Sequence, residues 1–299
     1  MSSEALQVLS RSTYSSICEC LKNLPFRNRP QRLKALFPHV SLDTLKCIVA
    51  QDNQRRMKNF HAKLTTAEAI EEMYHKYLKA VNSGEEPGIL LRISDATGLT
   101  PGLTTKSIIE RHHQVFEKSK PARSLVSNLM RNTSLIEDRD LAFESYLCLL
   151  EDDDYGPIAD ARKQAVGFEF EIRLRRELEE LQVSFLHEDH LRARGYDKTP
   201  DVKLEIPVAF DGHVINWIES KALFGDEESH KGYLKEQLFS YWNRFGPGLV
   251  LYWFGYVEDL EKYHQNRKIL IRDKLPKNII SLHTTFAQTT ICFDNCDER

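Results

Sequence analysis

The chain of 299 residues has little of what marks several large protein classes. Its six cysteines, Cys18, Cys20, Cys47, Cys148, Cys292 and Cys296, are too few for a disulfide framework at this length, and a reduced intracellular compartment is the expectation. Cys18-x-Cys20 and Cys292-x-x-x-Cys296 are each half of a zinc site with no second pair nearby, so structural or free thiols are expected. No apolar run approaches the roughly 18 residues of a membrane helix. The opening MSSEALQVLS has no basic start followed by an apolar block, so no secretory signal is expected. A serine elbow and a Gly-rich phosphate loop are both missing. What is present, 41% hydrophobic and 28% charged residues, is ordinary for a soluble globular protein that can bury a core.

Charge is divided unevenly. Residues 1–135 hold 20 lysines and arginines against 12 acids, and the remainder holds 21 against 32. A basic front could meet phosphates, and an acidic back could gather carboxylates for a metal. Two solvated surfaces would give the same numbers, and charge alone favours that simpler reading.

The front reads as helical. Leu33, Leu36 and Phe37 recur at helical spacing, as do Leu42, Leu45, Ile48 and Val49, with a break at 37–41 and Ser41 as N-cap. This is the outline of a helix-turn-helix. Residues 63–150 repeat it: an amphipathic helix over 65–81 with a Thr cap, a short helix framed by Ile89, Leu90, Ile93 and Leu99, and a helix capped by Thr104/Thr105 that carries Arg111, His112 and His113. In a helix-turn-helix that last helix would enter a major groove; a plain helical bundle is the alternative. His112 and His113 point about 100° apart and make poor joint ligands. The acidic run Glu151–Asp154, before Gly156-Pro157, reads as a solvated linker at a boundary. The organisation expected is 1–62 and 63–150 as helical modules and 151–299 as an α/β domain with a mixed sheet.

In that last domain a helix over 158–182 shows an apolar face of Ala165, Phe168, Ile172, Leu174, Leu178 and Leu181. Strands follow at 183–187, 201–210, 214–221, 248–257, 268–272 and 278–282, with a helix over 228–245. Asp211-Gly212 predicts a hairpin turn, pairing position 201 with about 222. Residues two apart on a strand share a face, so Glu219 and Lys221 project together and Ser220 points away, leaving only its backbone carbonyl for a shared metal. Asp201, Glu219 and Lys221 therefore converge at one end of the sheet. Two carboxylates bind a hard cation such as Mg²⁺, and the ammonium can orient a nucleophile or stabilise a crowded phosphorane-like transition state. His187-x-x-His190, followed by Arg192 and Arg194, reads equally as a metal pair or as loop histidines beside a phosphate groove.

Pro200-Asp201, the hairpin and Glu219-x-Lys221 resemble the signature of the PD-(D/E)xK nucleases. Gly167 to Glu171 resembles the Gly-x-x-x-Glu of archaeal Holliday-junction resolvases, and Gln237-x-x-x-Tyr241 that of RecB-type nucleases. Over almost its whole length, including RLKALFPHVSLDTLKCIVAQDNQRRM, ILLRISDATGLTPGLTTKSIIERHH and TPDVKLEIPVAFDGHVINWIESKALFGD, the chain is similar to the codanin-interacting nucleases, a family linked to congenital dyserythropoietic anaemia type I. The resemblance implies a restriction-endonuclease-like core and a Mg²⁺-dependent (or Mn²⁺-dependent) nuclease acting on DNA or structured nucleic acid, bound to codanin, in nucleus and cytoplasm. It implies Asp201, Glu219, the Ser220 carbonyl and Glu171 as metal-side groups, with Glu169 second to Glu171. Lys221 would position or polarise, and Gln237 and Tyr241 would line the substrate groove. A scaffold that binds codanin with vestigial chemistry is the competing expectation.

Overall fold

The computed structural model describes residues 7–24, 28–263 and 269–281. The first half is helical: α1 (Arg11–Asn23), α2 (Arg29–Leu36), α3 (Leu42–Leu64), α4 (Ala67–Asn82), α5 (Ile89–Thr97), α6 (Pro101–Glu117), α7 (Arg123–Arg131), a 3₁₀ turn, α8 (Arg139–Glu151) and α9 (Pro157–Glu180). The second half runs β1 (Phe185–His187), α10 (Glu188–Ala193), β2 (Val202–Phe210), β3 (His213–Lys221), α11 (Glu227–Tyr233), a π-helical turn (Leu234–Leu238), α12 (Phe239–Phe245), β4 (Gly248–Tyr252), α13 (Asp259–Tyr263), β5 (Ile269–Arg272) and β6 (Ile279–Ser281). Cys292, Cys296, Lys268 and Leu282, named from sequence, lie outside the described residues. Among those described, no helix is long and apolar enough to cross a membrane. Among the described residues two compact units interleave along the chain, one drawn from those up to 19, within 33–47 and from 166 onward, the other from those within 20–32 and 48–165.

The helical unit packs Met73, Tyr74, Tyr77, Leu90, Ile93, Ile108, Ile109, Leu141 and Cys148 into one core. Thr66 caps α4 by accepting the Ala69 N–H at 3.2 Å. The α5 start is held from outside: buried Glu144 accepts the N–H groups of Gly88 (2.7 Å) and Leu90 (3.0 Å), which no intrahelical carbonyl could take. Thr104 and Thr105 do not cap α6. Pro101 opens that helix, where its missing N–H costs nothing, and both threonines are buried inside it. Arg111 pairs with Glu71 and the His112 ring bonds the Tyr74 hydroxyl at 3.2 Å, so these two α6 side chains turn toward α4. The acidic run is not a solvated linker either. Asp152 is buried and accepts the N–H groups of Gly102, Asp154 and Tyr155, and Asp154 accepts from the Asn53 amide. Buried backbone donors need acceptors, and short acids supply them here.

The other unit is a mixed sheet in the order β1-β2-β3-β4-β5, with β6 on β2. β1, β2 and β3 are antiparallel; β3, β4 and β5 are parallel. On one face Leu174 and Leu178 of α9 pack on Val202, Ile218, Leu249 and Leu251; on the other, Leu238 and Tyr241 pack on Trp217, Val250 and Tyr252. The apolar stripe of α9 is narrower than the sequence suggests: Phe170, Leu174 and Leu178 face the sheet at i, i+4, i+8, whereas Phe168 and Leu181 are exposed. β4 stops at Tyr252 rather than Val257, because the chain turns at Gly255, whose φ of +87° lies in the left-handed region.

Candidate active site

The hairpin turns at Asp211 (φ +46°) and Gly212 (φ +77°), as the Asp-Gly pair predicts. Near the turn the register is the expected one, with Phe210 opposite His213 and Val208 opposite Ile215. It then shifts between Lys203 and Val208, so that Val202 faces Ile218. Pro207 lies in that stretch and has no N–H for the ladder, and Ile206, which strict alternation would bury, is 51% exposed. The bulge moves Asp201 from the predicted position opposite residue 222 to one beside Glu219.

The result is a hydrogen-bonded unit. The Ser220 N–H donates to Asp201 Oδ2 at 2.7 Å, and the Asp201 N–H donates to Glu219 Oε2 at 3.4 Å. Lys221 Nζ donates to Glu219 Oε1 at 2.6 Å and to Gln237 Oε1 at 2.9 Å, and lies 4.8 Å from the centre of the Tyr233 ring. Glu219 and Lys221 share a strand face; the Ser220 hydroxyl lies on the other, accepting from Trp253 Nε1 at 2.8 Å. Gln237 reaches the lysine from the π-helical turn, a deviation common at functional sites. Tyr241, 3% exposed, packs edge-on against Trp217 and sits in the core. Glu171 ion-pairs with Arg175 at 3.6 Å; burial raises its carboxyl against the opposing charges of Arg175 and Lys221, and its own charge helps raise Asp201, but it does not join the hydrogen-bonded unit.

The electrostatics follow from burial. Asp201 is held well above the usual carboxylate range by desolvation and then by Glu219. Glu219, only 4% exposed, is also raised by desolvation, with Lys221 opposing. For Lys221, burial pulls the ammonium down, but Glu219 and Asp201 outweigh it and the group stays charged. One cation thus faces two adjoining acids, one buried and one part-buried, an imbalance that a second cation would relieve. An oxygen-rich pair of this kind suits a hard divalent ion whose remaining positions are filled by water or phosphate. Among the described residues no group of three His, Cys, Asp or Glu side chains forms a ready-made metal cage.

Sequence reasoning missed Glu188, Thr199 and Tyr233. Glu188 opens α10, accepts from the Thr199 hydroxyl at 3.1 Å, and its charge raises Glu219 and Glu171. No periodicity marks a helix-opening acid as part of a site 30 residues away. The His187 and His190 rings meet at a tilt of 47° with centres 4.0 Å apart, and burial followed by His190 lowers His187.

The family described as "Protein of unknown function TPD sequence-motif" matches residues 137–275, and Thr199-Pro200-Asp201 spells that triplet. Curated relatives named CDAN1-interacting nuclease 1 align over nearly the whole chain. The Xenopus laevis protein is 45% identical over 282 residues, 94% of this chain and 93% of its own. The Homo sapiens protein is 44% identical over 276 residues, covering 92% and 98%, and that of Danio rerio 40% over 275, covering 92% and 91%. No solved structure matches.

Proposed function

The chain belongs to the CDAN1-interacting nuclease 1 family, and we propose that it is a metal-dependent nuclease of the PD-(D/E)xK type, hydrolysing phosphodiester bonds of DNA or structured nucleic acid in a complex with CDAN1 (codanin). The observation that carries this reading is the unit of Asp201, Glu219 and Lys221, in which a lysine is charge-paired to buried Glu219 and the part-buried Asp201 adjoins it. Folding alone gives no reason to set a buried and a part-buried carboxylate side by side; a site that must attract a cation does.

Asp201 and Glu219 would hold Mg²⁺ or Mn²⁺, and the bound ion would supply charge neutralisation at the scissile phosphate and acidify water. Glu219 fixes the Lys221 ammonium from one side and Gln237 fixes it from another, so that its remaining proton can be directed at a phosphate oxygen or an attacking water. Glu171 adds negative potential from α9. Tyr241 acts from the core, by holding Trp217 and the π-helical turn under the site, rather than as an open groove wall. Burial of the acids keeps competing water away and strengthens each of these interactions.

The test is cleavage by the purified full-length protein of labelled single strands, flaps and four-way junctions, with Mg²⁺ or with EDTA. Cleavage only with Mg²⁺ is expected, falling at least about 10²-fold in Asp201→Asn and in Lys221→Met. Ca²⁺ should support binding without turnover. Undiminished cleavage in either variant, or in EDTA, overturns the mechanism; CDAN1 binding with no cleavage of any substrate would leave the scaffold role.

A further inference from the structure

Asp201 is anchored through its carboxylate, which accepts the Ser220 N–H, and through its own N–H, which donates to Glu219. On its N-terminal side comes Pro200, whose ring fixes φ and restricts the residue before it, so any displacement of Thr199 is passed to Asp201 with little slack. Thr199 is 6% exposed, and its hydroxyl donates to Glu188 Oε1 at 3.1 Å. The same oxygen of Glu188 takes Arg192, an i,i+4 pair with both side chains substantially exposed that adds little by itself. The choice of acceptor for this buried hydroxyl carries chemical information. An amide or carbonyl would accept equally well, yet the position holds a carboxylate, whose bond from the hydroxyl is charge-assisted.

We propose that Thr199 and Glu188 form a positioning pair that sets Asp201 for cation binding, Thr199 by a hydrogen bond that fixes the Pro200-Asp201 turn and Glu188 by accepting that bond and adding negative potential. The inference rests on the metal-site reading above and assigns both residues to it. Neither touches the reacting atoms.

The test is Mn²⁺ titration of the full-length protein without nucleic acid, followed by electron paramagnetic resonance of the free ion, with melting temperatures in EDTA alongside. Thr199→Val and Glu188→Ala should each weaken Mn²⁺ binding about 10- to 100-fold, the range for groups that support a ligand from behind. Thr199→Ser, which keeps the hydroxyl, should bind like the wild type. Glu188→Gln, which keeps an acceptor oxygen but not the charge, should fall less than Glu188→Ala. The Thr199→Val/Glu188→Ala double variant should lose less than the product of the single losses, because both remove one bond. Melting temperatures should stay close to wild type in every variant. Wild-type Mn²⁺ binding in Thr199→Val, or equal weakening in Thr199→Ser, overturns the pairing. Glu188→Gln as weak as Glu188→Ala, with Thr199→Val unaffected, would make Glu188 a direct ligand and also overturns it. A wild-type protein that binds no Mn²⁺ removes this proposal together with the metal-site reading, whereas normal variants on a binding wild type remove this proposal alone.

Discussion

Asp201→Asn should abolish catalysis and stabilise the metal-free protein. The asparagine oxygen still accepts the Ser220 N–H, so the 2.7 Å bond and the local shape survive, while one of two adjoining negative charges is removed. Adjoining like charges at an effective dielectric of about 20 repel by a few kcal/mol. Lys221, 2.6 Å from Glu219, offsets part of this, leaving a gain on the order of 1–2 kcal/mol, or roughly 2–8 °C in melting temperature for a unit of this size. The sign depends on pH. The Asp201 carboxyl titrates above its ordinary 3.8 in the folded state, so the stability of the wild type is fullest below that value and is lost as pH rises through the raised one. The advantage of the Asp201→Asn variant in EDTA should therefore be larger at pH 8 than at pH 5, and Mg²⁺ at pH 8 should stabilise only the wild type. Asp201→Ala, which orphans the Ser220 N–H, should fall below Asp201→Asn by about 1–3 kcal/mol. Thermal melts at the two pH values, with and without Mg²⁺, decide it. An Asp201→Asn protein no more stable than wild type at pH 8 in EDTA, or a gain that does not shrink on acidification, would show that the two acids do not repel as described.

Lys221→Met should lower the melting temperature of the metal-free protein at pH 8, because a buried Glu219 loses its partner, a loss of about 3–5 kcal/mol for such pairs; recovery on acidification is the check by thermal melt. Gly248→Ala should destabilise the sheet unit by about 1–3 kcal/mol or more, since a Cβ there would lie 2.1 Å from the rigid Trp217 ring; displacement of Tyr241 should be visible in near-ultraviolet circular dichroism. In the helical unit, burial pushes Asp154 up to about 6, and Asp154→Asn keeps an acceptor for Asn53; its stability relative to wild type should rise as pH is raised through about 6, read by denaturant titration.

The sheet end that holds Asp201, Glu219 and Lys221 was legible because each step rests on a local rule. An Asp-Gly pair makes the turn, and alternation puts Glu219 and Lys221 on one face with Ser220 on the other. The register at Asp201 was not legible: Pro207 interrupts the ladder, and how many residues a bulge absorbs is decided by neighbouring strands. Glu188 and Thr199 escaped for a similar reason, since β1–α10 and the hairpin meet only through sheet pairing. Asp152 and Asp154 were misjudged because composition marks an acidic run as solvated and cannot reveal that backbone donors at Gly102 and Tyr155 need acceptors. Thr104 and Thr105 passed for caps because capping residues and buried threonines look alike without the position of Pro101 relative to the bundle.

The most direct measurement is anomalous diffraction from crystals of the full-length protein soaked in Mn²⁺. One peak is expected in contact with carboxylate oxygens of both Asp201 and Glu219, with water on its remaining sides and Lys221 still within reach. A fully occupied peak elsewhere, or an empty site at millimolar Mn²⁺, would contradict a cation held between those two acids.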